Sequence, residues 1–228
     1  MNIAIIPARG GSKRIPRKNI KEFCGKPMIA YSIEAAQKSG CFEKIVVSTD
    51  DESIAKIASS FGADILNRPK ELADDFTPTI PVIAHAIKAL GLEKASSVCC
   101  IYATAPFVQA KFIKEAQKKL FTCKASYCFS ATSFAYPIQR AIKLQDDKVS
   151  MFYPEHFKTR SQDLEEAYHD AGQFYFGTPQ AWLEEKVIFD KHSTIIKLPR
   201  YLVQDIDNLE DWRKAELMYK VLENENLI

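Results

Sequence analysis

Directly after a short apolar run, residues Ala8-Arg9-Gly10-Gly11-Ser12-Lys13-Arg14-Ile15-Pro16-Arg17-Lys18-Asn19 combine two adjacent glycines with a dense group of cations. Gly10 and Gly11 let the backbone curve tightly and present N–H groups without side-chain interference, while Arg9, Lys13, Arg17 and Lys18 add fixed positive charge. That combination suits a triphosphate. A solvated surface loop is the alternative for any basic stretch, but two glycines, a serine and several cations directly after a strand favour an anion site. Neither GxxxxGK[ST] nor GxGxxG is present, so a P-loop and a dinucleotide fingerprint are both excluded. His85, His156, His169 and His192 are scattered and show no metal-ligand spacing.

The loop needs a scaffold, and the chain around it reads as alternating strands and helices. Asn2 to Pro7 is a continuous apolar run suited to a strand buried on both faces. Pro27 to Ser39 reads as a helix ending at Gly40, Lys44 to Thr49 as a strand, and Asp50 or Asp51 as the cap of a helix carrying Ile54, Ile57, Ala58 and Phe61. Helices are expected over 79–90 and 111–120, strands over 98–102 and 126–130. This rhythm predicts an α/β, Rossmann-like, mostly parallel sheet with helices on both faces. From 134 to 170 it breaks into an aromatic, charged and irregular stretch, read as an insertion within a single domain spanning 1–228. A strand over 172–177 and a helix over 209–222 complete the pattern.

The totals narrow the class. A net charge of +2 is too small for a protein that coats nucleic acid, and the basic loop has few aromatics interleaved for base stacking, so a nucleic-acid binder is disfavoured. No apolar run approaches the roughly 20 residues that cross a bilayer. The opening residues show no basic leader or cleavage site, so the expected location is the cytoplasm. Cys24, Cys41, Cys99, Cys100, Cys123 and Cys128 show no CxxC spacing and are expected as buried free thiols.

Four segments in order carry a family resemblance: IPARGGSKRIPRKN, the VVSTD ending at Asp50, Arg68-Pro69 with Glu71-Leu72-Ala73, and Asp205-Ile206-Asp207. The chain resembles the CMP-sialic acid synthetase family, the cytidylyltransferases that activate nine-carbon keto-sugar acids. The late segments Arg160-Ser161-Gln162-Asp163-Leu164 and Tyr168-His169-Asp170-Ala171-Gly172-Gln173-Phe174-Tyr175 are most similar to the members that activate pseudaminic acid. Family members acting on sialic acid usually carry Asn-Gly-Ala where this chain has Ala171-Gly172-Gln173, and Gln-Pro-Thr-Ser-Pro where it has Tyr102 to Pro106. Sialic, legionaminic and keto-deoxyoctulosonic acids stand as the alternative sugars.

The resemblance implies attack by the sugar's anomeric hydroxyl on the α-phosphorus of CTP, with pyrophosphate leaving. It assigns Ala8, Arg9, Gly10, Gly11, Ser12, Lys13 and Lys18 to the triphosphate, with Arg9 and Lys13 neutralising it. Asn19, Arg68 and Thr79 are placed beside cytosine and ribose, although Arg68 could instead pair with Glu71. Asp205 and Asp207, two apart on an extended segment, face one way and could share Mg²⁺ or Mn²⁺, with Asp207 counted among the catalytic groups. Capping of the helix near Leu209 is the alternative for that pair. Arg160 is assigned to the sugar carboxylate, with Gln162, Tyr102, Thr104, Gln173 and Tyr175 lining the rest. Family members form homodimers in which the insertion reaches the neighbouring site, so Arg160 could act within the chain or across. The resemblance also suggests a destination in surface or flagellar glycosylation.

Overall fold

The computed structural model describes residues 1–228. Strand β1 (Asn2–Pro7) leads into the basic turn, followed by a small ribbon of β2 (Glu22–Phe23) and β3 (Lys26–Pro27) and by α1 (Met28–Ser39). Gly40, at φ 61°, closes α1 in the left-handed conformation that lacks a Cβ penalty. Next come β4 (Lys44–Thr49), α2 (Glu52–Ser60), β5 (Asp64–Asn67), α3 (Thr79–Leu90), β6 (Ser97–Ile101), α4 (Ala110–Thr122) and β7 (Tyr127–Ser133). The hairpin β8 (Ile142–Gln145) and β9 (Lys148–Met151) stands apart, before β10 (Tyr168–Gly177), α5 (Pro179–Leu183), β11 (Ser193–Lys197) and α6 (Leu209–Asn224).

Seven strands form one sheet in the order β11-β7-β10-β6-β1-β4-β5. Every neighbouring pair is parallel except those made by β10, which runs antiparallel to both β6 and β7. The chain moves outward from β1 through β4 to β5, then returns to β6 on the other side of β1. The C-terminal ends of β1 and β6 therefore flank a topological switch point, where open α/β sheets hold their ligands.

Alternation along β1 serves both faces. Ala4 and Ile6 join the layer containing Ile29 and Ile33 of α1, Ile113 of α4 and Trp212 of α6. Ile3 and Ile5 face the layer with Ile83 and Ile87 of α3 and Trp182 of α5. Helices thus cover both faces, as the alternating pattern predicts. No helix is long and apolar enough to cross a membrane.

Several boundaries differ from the sequence reading. Asp51, not Asp50, caps α2, its carboxylate accepting the Ser53 and Ile54 amides at 2.8 and 2.9 Å. Strands β5 and β11 carry no clear sequence signal, because both lie at sheet edges and have few buried residues. β10 begins at Tyr168, whose residues through Asp170 pair with Ser133 to Ala131 of a longer β7. The irregular excursion is therefore confined to 134–167. Of the six free cysteines, Cys99, Cys100 and Cys128 are buried as expected, but Cys24 and Cys41 are half-buried and Cys123 is exposed. Burial pushes the Cys128 thiol up to about 12 and the Cys99 thiol well above its ordinary value, so neither is a nucleophile.

At the end of β10, a Cβ on Gly177 would collide with Trp182 Nε1 and lie 2.8 Å from Tyr127 Cδ1. Gly177→Ala is expected to overpack this corner by about 1–3 kcal/mol. Thermal denaturation should show a midpoint lower by roughly 2–4 °C per kcal/mol.

Candidate active site

The turn after β1 is fixed by contacts made deep in the fold. Ile15 is 1% exposed and pins the middle of the basic stretch to the core, a burial of roughly 1.5–3 kcal/mol for a side chain of this size. The Ala8 amide continues the sheet by donating to the Ser48 carbonyl at 2.9 Å. Asp50, at the end of β4, accepts the Gly10 amide at 2.9 Å, and the Asn19 side-chain amide donates to the Arg9 carbonyl at 2.9 Å. The Ser12 amide turns back to the Gly10 carbonyl at 3.0 Å. The bare-amide cradle read from the sequence is thus narrower than expected. The amides of Ala8, Gly10 and Ser12 hold the turn's shape, and of the Gly10, Gly11 and Ser12 cradle the Gly11 amide alone is left without an acceptor in the chain.

The side chains of the turn face carboxylates. Arg9 Nη1 lies 2.6 Å from Asp75 Oδ1 and 3.0 Å from the Asp74 carbonyl, and Lys13 pairs with the other Asp75 oxygen. Hydrogen bonds from Lys13 and Arg9 hold the Asp75 carboxyl below the usual carboxylate range. Arg14 Nη2 meets Asp207 Oδ1 at 2.8 Å, and Lys18 Nζ approaches the same oxygen at 3.8 Å. Lys18 is mostly buried; burial lowers its amine below the ordinary lysine value, and Asp207 and Asp205 oppose that drift.

Between β1 and β6 opens a cleft of about 250 Å³ whose walls include Arg9, Ser12, Lys18, Asn19, Arg68 and Thr79. These are six of the residues assigned to the nucleotide. Arg68 is 5% exposed and is not a surface partner of Glu71: its guanidinium donates to the Ser48 carbonyl at 2.7 Å and to the Ser48 hydroxyl at 3.3 Å. Burial lowers its pKa and the nearby Asp50 opposes that shift. The Thr79 hydroxyl lies 3.0 Å from the Tyr102 hydroxyl.

Tyr102 and Thr104 also line an adjoining pocket of about 380 Å³, together with Asp170, Gly172, Gln173 and Asp205. The two cavities share a wall, so one molecule in each can meet. Asp207 lies beside the basic turn, within salt-bridge distance of Arg14 and Lys18. Helix capping at α6 falls to Asn208 and Asp211, not to the Asp205 and Asp207 pair. Another cavity, of about 360 Å³, lies between α1 and the C-terminus, where Glu34 pairs with Lys26 and Lys38.

Three sugar-site assignments are not met within one chain. Tyr175 is 3% exposed and lines neither cavity; its ring packs 5.2 Å from Tyr102 and its hydroxyl donates to Asp170, so it supports the wall from behind. Burial raises its phenol far above the ordinary value. Arg160 is exposed and forked onto Asp163 at 2.7 and 3.2 Å, and Gln162 lines a separate cavity with Phe134 and Tyr136. Both belong to the excursion, whose own hairpin stands away from the sheet, so the chain alone does not carry them to the cleft. Asp50, Asp75 and Asp170 are site residues that the sequence does not single out: Asp50 and Asp75 meet partners 40 and 66 positions away, and Asp170 meets the nearby Gly172 and Tyr175 only once β10 has formed.

A family model described as cytidylyltransferase matches residues 3–221. The chain belongs to the cytidylyltransferase family. This cytidylyltransferase is 51% identical over 224 residues to the pseudaminic acid cytidylyltransferase of Campylobacter jejuni subsp. jejuni serotype O:23/36 (strain 81-176), covering 96% of this chain and 97% of that one. It is 34% identical to the CMP-N,N'-diacetyllegionaminic acid synthase of Legionella pneumophila subsp. pneumophila (strain Philadelphia 1), at 96% coverage of each. Among solved structures, a CMP:2-keto-3-deoxy-manno-octonic acid synthetase complexed with CTP superposes with a TM-score of 0.69 at 13% identity, covering 96% of this chain and 98% of that one, which establishes the shared fold.

A Cβ on Gly10 would lie 2.8 Å from Asp51 Oδ2 and 2.9 Å from Asp51 Cβ. Gly10→Ala is therefore expected to push the turn off the α2 cap. Calorimetric titration should show nucleoside triphosphate affinity reduced by about tenfold or more, with stability lower by about 1 kcal/mol from the disturbed cap.

Proposed function

We propose that the enzyme joins CMP from CTP to pseudaminic acid in the cytoplasm, releasing pyrophosphate. The observation that carries this reading is the shared wall of Tyr102 and Thr104 between a cationic cleft and a pocket without lysine or arginine. The likeness to pseudaminic acid cytidylyltransferases over nearly the whole chain supports the choice of sugar.

The triphosphate takes the place of Asp75 on Arg9 and Lys13, and Lys18 and the Gly11 amide complete its seat. Asn19, Arg68 and Thr79 hold the nucleoside end. Asp205 and Asp207 suit a hard divalent cation: both offer carboxylate oxygen, and both act on the Lys18 amine beside the cleft. Mg²⁺ is ordinarily held in this way, by one or two carboxylates with phosphate and water completing its shell. When bound, Mg²⁺ or Mn²⁺ would neutralise charge on the phosphate oxygens. The anomeric hydroxyl gives up its proton to solvent water as its oxygen forms the new bond to the α-phosphorus and the bond to the bridging oxygen breaks, and pyrophosphate departs with that electron pair. The protein contributes positioning and charge stabilisation; the nucleophile belongs to the sugar.

The excursion supplies a second-copy interface. Leu144 pairs with Val149 and Ile142 with Met151, so one face of the β8–β9 hairpin is apolar while Lys143, Gln145 and Lys148 occupy the other. Ile142, Leu144 and Val149 are 61, 68 and 64% exposed. An isolated hairpin is marginal in water, and a partner over this face would stabilise it. A homodimer does so, and lets Arg160 serve the neighbouring sugar site.

Pyrophosphate release should be measured with CTP, Mg²⁺ and a panel of pseudaminic, sialic, legionaminic and keto-deoxyoctulosonic acids. Asp207→Ala and Lys13→Ala are each expected to lower kcat by about 10²–10³ with the fold intact, as for loss of one charge-stabilising group. Wild-type rates in Asp207→Ala would overturn the metal assignment, and equal use of other nucleoside triphosphates would overturn the cytosine assignment. In sedimentation experiments, the double variant Leu144→Asp with Val149→Asp should be monomeric and retain CTP binding while losing sugar turnover.

A further inference from the structure

The pocket beside the cationic cleft is lined by two carboxylates, Asp170 and Asp205, and by no lysine or arginine. Asp170 contributes a half-buried carboxylate: Oδ1 accepts the Gly172 amide at 2.9 Å, and Oδ2 accepts the Tyr175 hydroxyl. A carboxylate has about four lone-pair positions, so roughly half remain for a ligand. Next to it, Gln173 is 4% exposed and donates through its side-chain amide to the Leu202 carbonyl at 2.6 Å. Its side-chain oxygen is buried without a partner. A buried acceptor left without a donor is costly, so native structures seldom leave one unexplained.

We propose that Asp170, seconded by Gln173, is the specificity-determining acceptor of the sugar pocket, reading a hydroxyl or amide N–H of the acidic sugar. The inference rests on the reading of this pocket as the sugar site. Asp170 also sets the direction in which the sugar enters. At the Asp170 carboxylate a sugar carboxylate is repelled: no lysine or arginine lines the pocket, and the neighbouring His169 is turned to the Asp170 carbonyl, not its side chain. The acidic end therefore turns away from Asp170, and the donor-bearing part of the ring turns toward it. The Gly172 backbone, at φ 62°, folds its amide onto Asp170 and holds the carboxylate at the pocket wall.

A purely structural role for Asp170 would act through Tyr175 onto Tyr102, which lines both cavities, and would harm the two substrates alike. Asp170→Asn keeps the shape and changes the acceptor. Steady-state kinetics are expected to show the sugar KM raised about 10- to 100-fold, the scale of one hydrogen bond to a charged group, with the CTP KM within about twofold of wild type. CTP titration reports that the variant is folded. On the wild-type enzyme, sugar analogues each lacking one hydroxyl or amide donor should include one that loses a similar factor, and Asp170→Asn should no longer distinguish that analogue. An unchanged sugar KM in Asp170→Asn, an equal rise for CTP, or no analogue discriminated by wild type would each overturn the proposal. Gln204→Trp, which fills the same pocket from its rim, separates the two levels. If it leaves sugar turnover untouched, the pocket assignment itself fails; if it blocks the sugar while Asp170→Asn does not, only the role of Asp170 fails.

Discussion

The turn after β1 must hold Arg9, Lys13, Arg14 and Lys18 close together, and like charges at such spacing repel. The molecule separates the backbone problem from the side-chain problem. Backbone shape is set by Ile15 in the core, Asp50 on the Gly10 amide and Asn19 on the Arg9 carbonyl. Side-chain charge is balanced by Asp75 and Asp207 at partly exposed ion pairs, which are individually worth little. A rigid turn with weakly held counter-charges is what a phosphate chain can enter: it exchanges one set of oxygens for another and leaves the backbone in place.

The sheet topology determines which segments meet this turn. Parallel strands deliver their following loops to one edge, so residues after β1, β4 and β6 all arrive there. β10 runs the other way, with Phe174 opposite Ile101, and therefore brings its beginning to that edge. Asp170, Gly172 and Gln173 line the pocket for this reason, while Gly177 lies at the far end against Trp182. The same antiparallel strand carries Tyr175, whose hydroxyl ties the pocket wall at Tyr102 to Asp170.

Local chemistry was legible where a residue's role depends on its sequence neighbours. The apolar run of β1, the helix 79–90, the glycine closing α1 and the Gly10-Gly11 turn all follow from such neighbours. Roles set by distant partners were not legible. Asp50 and Asp51 look equivalent in sequence, yet one holds Gly10 and the other caps α2. Asp75 reads as a loop acid until the fold brings it to Arg9, 66 positions away. The edge strands β5 and β11 lack the continuous buried run that marks β1, and Tyr168-His169-Asp170 reads as loop because its strand character comes from pairing with β7. Tyr175 has the composition of a pocket residue, and its burial depends on the sheet position that β10 adopts.

Binding requires a phosphate chain to replace Asp75 at a turn whose backbone is already set, and a crystal structure with CTP and Mg²⁺ tests that directly. The β- and γ-phosphates are expected on Arg9, Lys13 and the Gly11 amide, with Asp75 released from both cations and the Gly10–Asp50 hydrogen bond retained. A nucleotide seated elsewhere, with Arg9 and Lys13 still on Asp75, would contradict it.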